Sequence, residues 1–261
     1  MEKISIEGID IFSYPVCYKN NFFCGFTART GGFSNKPFNA LNLAYHVGDD
    51  SGSVFKNRRL IIEKLLDSIP EYIYSARQVH GDRVLYINRD TGHVRGNIAV
   101  EADSLITETE NMPLMVLGAD CSLIIIIDIK KRAIGVVHAG WKGTLNGVLA
   151  KTLVSFKRYF GSSAENILVF FGPGIRSCCY RVDSALVEGF RKKFGGSDYY
   201  YRKGKDFFLD LVKLNLIHLK DFGIQEDNVF DTGECTSCGK GFFSYRKENI
   251  TGRQAAITMI Y

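Results

Sequence analysis

The sequence predicts a mixed α/β protein, a single domain of layered mixed β-sheets flanked by helices, and three observations carry that prediction. Three apolar, β-branched-rich runs, 113–117, 123–129 and 133–138, follow one another in the middle of the chain. Runs that are hydrophobic without alternation belong to strands covered on both faces. The adjoining segment 144–160 sets Leu145, Val148, Leu149, Thr152, Leu153 and Phe156 on one stripe at helical spacing. Polar loops interrupt the buried runs, with Asp120-Cys121 between the first two and His138 closing the third.

The remaining elements follow in order. The N-terminal part reads as short strands, 21–27 the clearest, followed by a turn-rich segment, 29–42. Ser53 is placed to cap a helix running to residue 66, in which Val54, Leu60, Ile61, Lys64 and Leu65 fall near helical spacing. Strands are expected at 72–74, 83–87 and 167–171, and helices at 184–194 and 210–222, the latter stopped by Gly223. The segment 254–260 is the final strand. No repeat, low-complexity stretch or Pro/Ser-rich linker divides the chain, so 1–261 reads as one domain.

Composition narrows the function class. The 33 basic and 28 acidic residues leave a net charge of +5, too small a surplus to mark a nucleic-acid surface. The groups Lys130-Lys131-Arg132 and Arg191-Lys192-Lys193 read as solvated loop or helix ends. A modest positive field still suits an anionic substrate such as phosphate. The first ten residues lack a secretory pattern, and the longest apolar run, 123–127, is far short of the ~20 residues that span a membrane. Seven scattered cysteines, an odd count, then read as reduced thiols of a cytoplasmic protein.

Three residues carry the chemistry. If strands 122–129 and 132–138 pair as a hairpin, Cys121 at the start of one lies beside His138 at the end of the other. His80 closes a separate segment, Gln78-Val79-His80-Gly81. Two imidazoles and one thiolate make an open zinc site whose fourth position admits water, which ionises near neutrality on the metal. Copper takes the same ligands. A lone cysteine between apolar strands is more often a small buried hydrophobe, and a third reading makes Cys121 a hydrolase nucleophile with His138 as its base and no metal. Cys235 and Cys238 form one Cys-Thr-Ser-Cys pair without a partner pair and read as ordinary thiols. Cys178 and Cys179, being adjacent, are not expected to chelate one ion together. His46 and His93 lack context, and His218 reads as a packing or surface residue of the last helix. The junction 138–144 offers backbone N–H groups of a helix N-terminus to an anion, with Gly140 and Lys142 as candidate substrate contacts. A plain tight turn with Trp141 packed on the core is the alternative. Gly172-Pro173-Gly174-Ile175 is a second loop of this kind.

Ordered motifs along nearly the whole chain point to one family. They are Thr27-Ala28-Arg29-Thr30-Gly31-Gly32, Leu41-Asn42-Leu43, His46-Val47-Gly48-Asp49, Asn57-Arg58, Gln78-Val79-His80-Gly81 and Ala102-Asp103. Ala119-Asp120-Cys121, His138-Ala139-Gly140-Trp141, Gly172-Pro173, Cys179-Tyr180, Cys235-Thr236, Phe242-Phe243-Ser244-Tyr245-Arg246 and Thr251-Gly252-Arg253 complete the series. On these the sequence resembles the bacterial YfiH-type laccase-domain family, known both as multicopper polyphenol oxidases and as purine nucleoside phosphorylases. The resemblance implies a YfiH-like α/β domain with zinc held by His80, Cys121 and His138. It implies phosphorolysis of adenosine, inosine, guanosine and methylthioadenosine, with hydrolytic deamination of adenosine beside it. The expected partners are thus purine nucleosides and phosphate, without nucleic acid or membrane, and the expected state is a monomer or weak homodimer. Arg58 is the candidate anion contact near the metal, Arg29 and Asn42 belong to the neighbouring loop motif, and Asp103 or Asp120 would orient or shuttle a proton. A copper phenol oxidase is the alternative, but five histidines are few for multicopper chemistry. The sequence departs from the family pattern at Leu123 and Ile124, where proline is usual, and at Lys142 and Lys247, where arginine is usual. Lys142 lacks the bidentate fork of arginine, so oxyanion geometry would differ there.

Overall fold

In the computed structural model, which describes residues 1–67, 69–90 and 97–261, the chain opens with β1 (Glu2–Ile6), β2 (Ile9–Ser13), α1 (Pro15–Lys19) and β3 (Phe22–Thr27). A long irregular segment then leads to α2 (Ser51–Leu65). The strands β4 (Ser75–Arg77), β5 (Val84–Tyr86), β6 (Asn97–Glu101) and β7 (Ser104–Thr107) precede the central β8 (Leu114–Gly118), β9 (Ser122–Asp128) and β10 (Ala133–Ala139). The helices α3 (Trp141–Asn146) and α4 (Val148–Phe160) lead to β11 (Ile167–Phe171), β12 (Arg181–Val182) and α5 (Ser184–Phe194). The chain ends with β13 (Tyr200–Lys203), β14 (Asp206–Leu209), α6 (Leu211–Phe222), β15 (Val229–Asp231), α7 (Tyr245–Glu248) and β16 (Gln254–Ile260).

Among the described residues two sheets dominate, one ordered β1-β2-β3-β16-β8 and the other β15-β11-β9-β10-β7-β5. They pack face to face, and the pleat of each strand divides its side chains between two cores. In β9, Leu123, Ile125 and Ile127 enter the core between the sheets, with Phe22, Phe26, Val116 and Phe170. Ile124 and Ile126 point the other way, onto Leu149, Leu153 and Phe156 of α4 and Leu219 of α6. On the outer face of the first sheet, Ile257 and Met115 meet Ile61, Ile62 and Leu65 of α2. The result is four layers, helix, sheet, sheet, helix, and it explains why the central runs show no polar alternation.

Several expected elements are shifted or divided. Asp50, not Ser53, caps α2, its carboxylate accepting the Ser53 N–H at 2.8 Å, so the helix begins at Ser51. The strand expected at 72–74 falls at Ser75–Arg77, with Tyr74 only bridging Leu114. The helix expected over 144–160 starts earlier, at Trp141, and breaks at Gly147, whose φ of 81° is open to glycine. Its apolar stripe is shared between two cores: Val148, Leu149, Leu153 and Phe156 lie on β10, while Leu145 packs toward Phe190 and Leu209. The elements at 167–171, 184–194 and 254–260 fall where expected, and Asp210 caps α6.

Not all the cysteines are reduced thiols. Cys17 of α1 and Cys24 of β3 are joined by a disulfide and lie in the core between the sheets. A turn at Asn20 and Asn21 folds the helix back onto the strand and brings the two together. Among the described residues no helix is long and apolar enough to cross a membrane. Of the two basic groups, Lys130, Lys131, Arg191, Lys192 and Lys193 are exposed at the β9–β10 turn and the end of α5, whereas Arg132 is half-buried and donates to the Tyr261 carbonyl at 2.7 Å. His93 lies outside the described residues.

Candidate metal centre

The β9–β10 hairpin assembles the first part of the site. His138 pairs with Leu123 and Ala139 with Ser122, so Cys121, one residue before β9, reaches the His138 end of β10. His80 arrives from the loop between β4 and β5, with its backbone in the left-handed region at φ 59°, uncommon for a residue with a side chain. The ligating atoms of His80, Cys121 and His138 all lie within 4.8 Å of one another.

Asp103, between β6 and β7, joins the pieces. Its carboxylate accepts the backbone N–H groups of Val79 at 3.2 Å, His80 at 3.0 Å and Gly81 at 2.7 Å, which shapes the His80 turn. The same carboxylate contacts His138 Nδ1 at 2.8 Å, and the Asp103 carbonyl accepts the His138 N–H at 2.8 Å. Burial alone would raise the Asp103 carboxyl. The hydrogen bond and charge of His138 and the Gly81 and Val79 N–H groups outweigh it and hold the group below the usual carboxylate value. An ionised Asp103 fixes the proton on Nδ1 of His138 and turns Nε2 toward the ligand position.

Charge within the cluster is mutually reinforced. Burial opposes the Cys121 thiolate, but His138 and His80 bring it down to about 6. Burial likewise opposes the His138 cation, yet Cys121 and Asp103 raise it to about 9. Without a metal the pair is a Cys121 thiolate beside a His138 imidazolium, and a metal at the cluster would displace the Nε2 proton of His138. Gly140 completes the fit: a Cβ there would stand 2.9 Å from Cys121 Sγ and 3.1 Å from His80 Cδ2, so only glycine leaves room for the ligands. Borderline-soft N/S donors with an open side suit zinc, and copper accepts the same set.

Asp120, with φ 98°, anchors the Cys121 side. Its carboxylate accepts the hydroxyls of Thr236 at 2.6 Å and Ser244 at 2.7 Å and the Arg246 N–H at 2.6 Å. Three donors from the C-terminal loops thus converge on the residue preceding the thiolate.

The cluster opens into a cavity of about 450 Å³, also lined by His46, Gln78, Tyr180, Tyr245, Arg246 and Arg253. Gln78 is pinned by paired 2.8 Å hydrogen bonds with the Leu117 backbone. The Arg246 guanidinium lies 5.3 Å from the Tyr180 ring centre, and that of Arg253 6.0 Å from Tyr245. Arg253 Nη1 donates to the carbonyls of Thr251 at 2.8 Å and Gly252 at 3.0 Å. Burial, then the Arg253 and Arg58 charges, push the His46 imidazole below its ordinary value.

The structure redistributes the expected contacts. Arg58 stands outside the cavity lining, with Nε donating to the Leu43 carbonyl at 2.9 Å and its guanidinium stacked 4.7 Å over Tyr45; burial lowers it to about 10. Arg29 pairs with Glu248 at 2.7 Å and lies over Phe243, lining a separate depression. Asn42 is fully buried, binding Asp49 and the backbone of Ala44 and Arg253. Lys142 lies over Trp141, away from the cavity. Arg58, Arg29 and Asn42 support loops because their polar atoms serve backbone and side-chain partners, whereas Lys142 is an exposed residue of α3. Asp103 is also absent from the lining, whereas Asp120 reaches it. Trp141 is 37% exposed and not packed in the core. His218 of α6 is half-buried against the Thr144 carbonyl, as a packing residue. The cavity residues His46, Tyr180, Tyr245, Arg246 and Arg253 lie in motifs already noted, but sequence distance hid their common destination.

Comparison with known proteins finds relatives over nearly the whole chain. The family described as multi-copper polyphenol oxidoreductase laccase matches residues 23–261. A Bacillus subtilis protein named purine nucleoside phosphorylase YlmD is 32% identical over 237 residues, covering 88% of this chain and 85% of the relative. Purine nucleoside phosphorylase YfiH of Escherichia coli is 31% identical over 233 residues, covering 88% and 90%. The crystal structure of Bacillus licheniformis hypothetical protein YfiH superposes with a TM-score of 0.87 at 29% identity, across 98% of this chain and 97% of that one. YlmD from Geobacillus stearothermophilus also superposes with a TM-score of 0.87, at 28% identity, across 97% and 96%. With its sequence, fold and cluster-bearing cavity in place, the chain belongs to the multi-copper polyphenol oxidoreductase laccase family.

Proposed function

We propose that the protein is a zinc-dependent purine nucleoside phosphorylase acting on adenosine, inosine, guanosine and methylthioadenosine, with hydrolytic deamination of adenosine at the same centre. One observation carries the reading: a single cavity combines the His80, Cys121 and His138 cluster with two arginines and two tyrosine rings. Its volume suits a small organic ligand. The relatives named purine nucleoside phosphorylases support the substrate class.

Bound at the three ligands, zinc would supply Lewis acidity to an oxygen in the open position. Arg246 and Arg253 provide guanidinium forks for phosphate. Tyr180 and Tyr245 provide flat apolar faces for a purine. In phosphorolysis a phosphate oxygen bonds to the anomeric carbon while the glycosidic electrons leave with the purine, which takes up a proton. Arginines near the phosphate favour that step by meeting the charge where it moves. The test is incubation of zinc-loaded protein with adenosine, with and without phosphate. Adenine and ribose 1-phosphate are expected with phosphate, and inosine without it. No product above a His80→Ala control sinks the reading.

The arrangement Cys121, His138, Asp103 favours a second reading, a metal-free cysteine hydrolase, because the thiolate is already paired with an oriented imidazole. Activity retained after complete metal removal would select it. The family's description favours a copper phenol oxidase, and oxygen-dependent phenol turnover with several coppers per chain would select that instead.

A further inference from the structure

Four cysteines outside the His80 cluster converge on one point. Cys178 and Cys179 lie on the loop after β11, and Cys235 and Cys238 on the loop after β15. Their sulfurs all lie within 4.8 Å of one another. The Cys238 sulfur stands 3.4 Å from that of Cys178 and 3.4 Å from that of Cys179. Four sulfurs at ~2.3 Å around a tetrahedral zinc ion are ~3.8 Å apart, so the cluster is close to the size of such a cage. The adjacency of Cys178 and Cys179, which argues against joint chelation in sequence, is overcome by a turn. The Cys179 and Tyr180 N–H groups both donate to the Arg176 carbonyl at 2.9 Å, and both thiols come within reach of Cys238.

We propose that Cys178, Cys179, Cys235 and Cys238 form a second, structural zinc site that clamps the two loops walling the cavity. Four thiolates closing a tetrahedron are the structural pattern for this ion, in contrast to the open three-ligand cluster. Paired disulfides describe the cluster poorly. Bonded sulfurs sit at ~2.05 Å, and Cys238 is equally distant from two partners, while Cys17 and Cys24 of the same molecule are bonded.

The location gives the site a task. Cys178 and Cys238 are exposed, so their own side chains add little apolar packing between the loops. They meet through a backbone bridge of Gly174 with Cys235, a Thr236 N–H bond to the Gly174 carbonyl at 3.1 Å and the Arg176–Asp231 ion pair at 2.7 Å. Tyr180 follows Cys179 directly and lines the cavity. Thr236, inside the Cys235–Cys238 turn, donates its hydroxyl to Asp120 beside Cys121. A metal at the four cysteines therefore fixes the cavity wall and the anchor of the thiolate ligand together.

The test is the zinc content of the 261-residue protein, purified with zinc and a thiol reductant and measured by inductively coupled plasma mass spectrometry. Two zinc ions per chain are expected. The His80→Ala/Cys121→Ser variant should lose one, and Cys235→Ser/Cys238→Ser the other. Cobalt added to zinc-free His80→Ala/Cys121→Ser protein should give the intense sulfur-to-cobalt charge-transfer absorption of a tetrathiolate site. If the Cys235→Ser/Cys238→Ser protein does not fold, the wild-type count and the cobalt spectrum still decide. A His80→Ala/Cys121→Ser protein with no stoichiometric zinc and no cobalt band overturns the proposal. So does recovery of Cys178 or Cys179 in a disulfide with Cys235 or Cys238 in the reductant-treated native protein.

Discussion

The Asp103 carboxylate receives His138 Nδ1 at 2.8 Å while it also binds three successive N–H groups of the His80 turn. One side chain thus orients both histidines. Asp103→Asn keeps the shape but removes the charge that fixes the His138 tautomer. Zinc affinity is expected to fall ~10–100-fold, the usual effect of losing such an outer partner. Chelator competition measures it, and wild-type affinity in the variant would show that the tautomer is set elsewhere.

Gly140 is required by space, not by backbone conformation, since its φ is −71°. Gly140→Ala is expected to fold with a melting temperature near that of wild type yet to lose zinc from the His80 cluster. The added carbon meets Cys121 Sγ and His80 Cδ2 within 3.1 Å. Metal analysis beside a thermal scan checks both halves, and full zinc occupancy would contradict the steric reading.

Metal removal should unmask Cys121. Its thiol is lowered to about 6, so in zinc-free protein the thiolate forms as pH rises through that value, well below the ordinary thiol range. Iodoacetamide labelling of Cys121, followed by mass spectrometry, should rise across pH 5 to 7 and be suppressed by zinc. Labelling that rises only near pH 9 would refute the depressed value.

Arg253 lines the cavity with its guanidinium toward Tyr245. If it holds phosphate, Arg253→Gln removes a charge-assisted contact of ~1.5–3 kcal/mol, raising the KM for phosphate by about tenfold or more. The KM for the nucleoside should move less. Steady-state kinetics in both substrates separate the two, and an unchanged phosphate KM would move the anion site elsewhere.

Asn57 of α2 is fully buried, donating to the Ser34 hydroxyl at 2.9 Å and the Asn42 carbonyl at 2.8 Å and accepting the Phe33 N–H at 2.7 Å. Asn57→Ala leaves those three groups unpaired, at ~1–3 kcal/mol each, for an expected loss of about 3 kcal/mol or more. Urea denaturation reports it, and a loss below 1 kcal/mol would mean that water replaces the side chain.

Local rules made much of the fold legible. The β9–β10 pairing, the strand at 167–171, the capped helix ending at Gly223 and the last strand rest on short-range periodicity and turn chemistry, which the sequence states directly. The break at Gly147 was hidden because Leu145 and Val148 continue one stripe while serving different cores. The hairpin also made the proximity of Cys121 and His138 legible, since a two-stranded register relates neighbours in sequence.

Convergence across long separations was decided by tertiary structure alone. Arg29, Asn42, Arg58 and Lys142 are polar residues in or beside matched motifs, and nothing in their order distinguishes a residue outside the cavity from a cavity wall. Arg253 reaches the cavity from the residue before β16, and the segment before His46 is held beside it by contacts of Asn42 and Leu43 with the Arg253 backbone. Cys178 and Cys179 meet Cys235 and Cys238 because β11 and β15 pair in parallel, setting the loops that follow them side by side. By itself the sequence determined the layered α/β class, the donor types and the short-range hairpin. The tertiary structure decided which distant side chains share a cavity, because that depends on sheet order, which spacing along a chain does not encode.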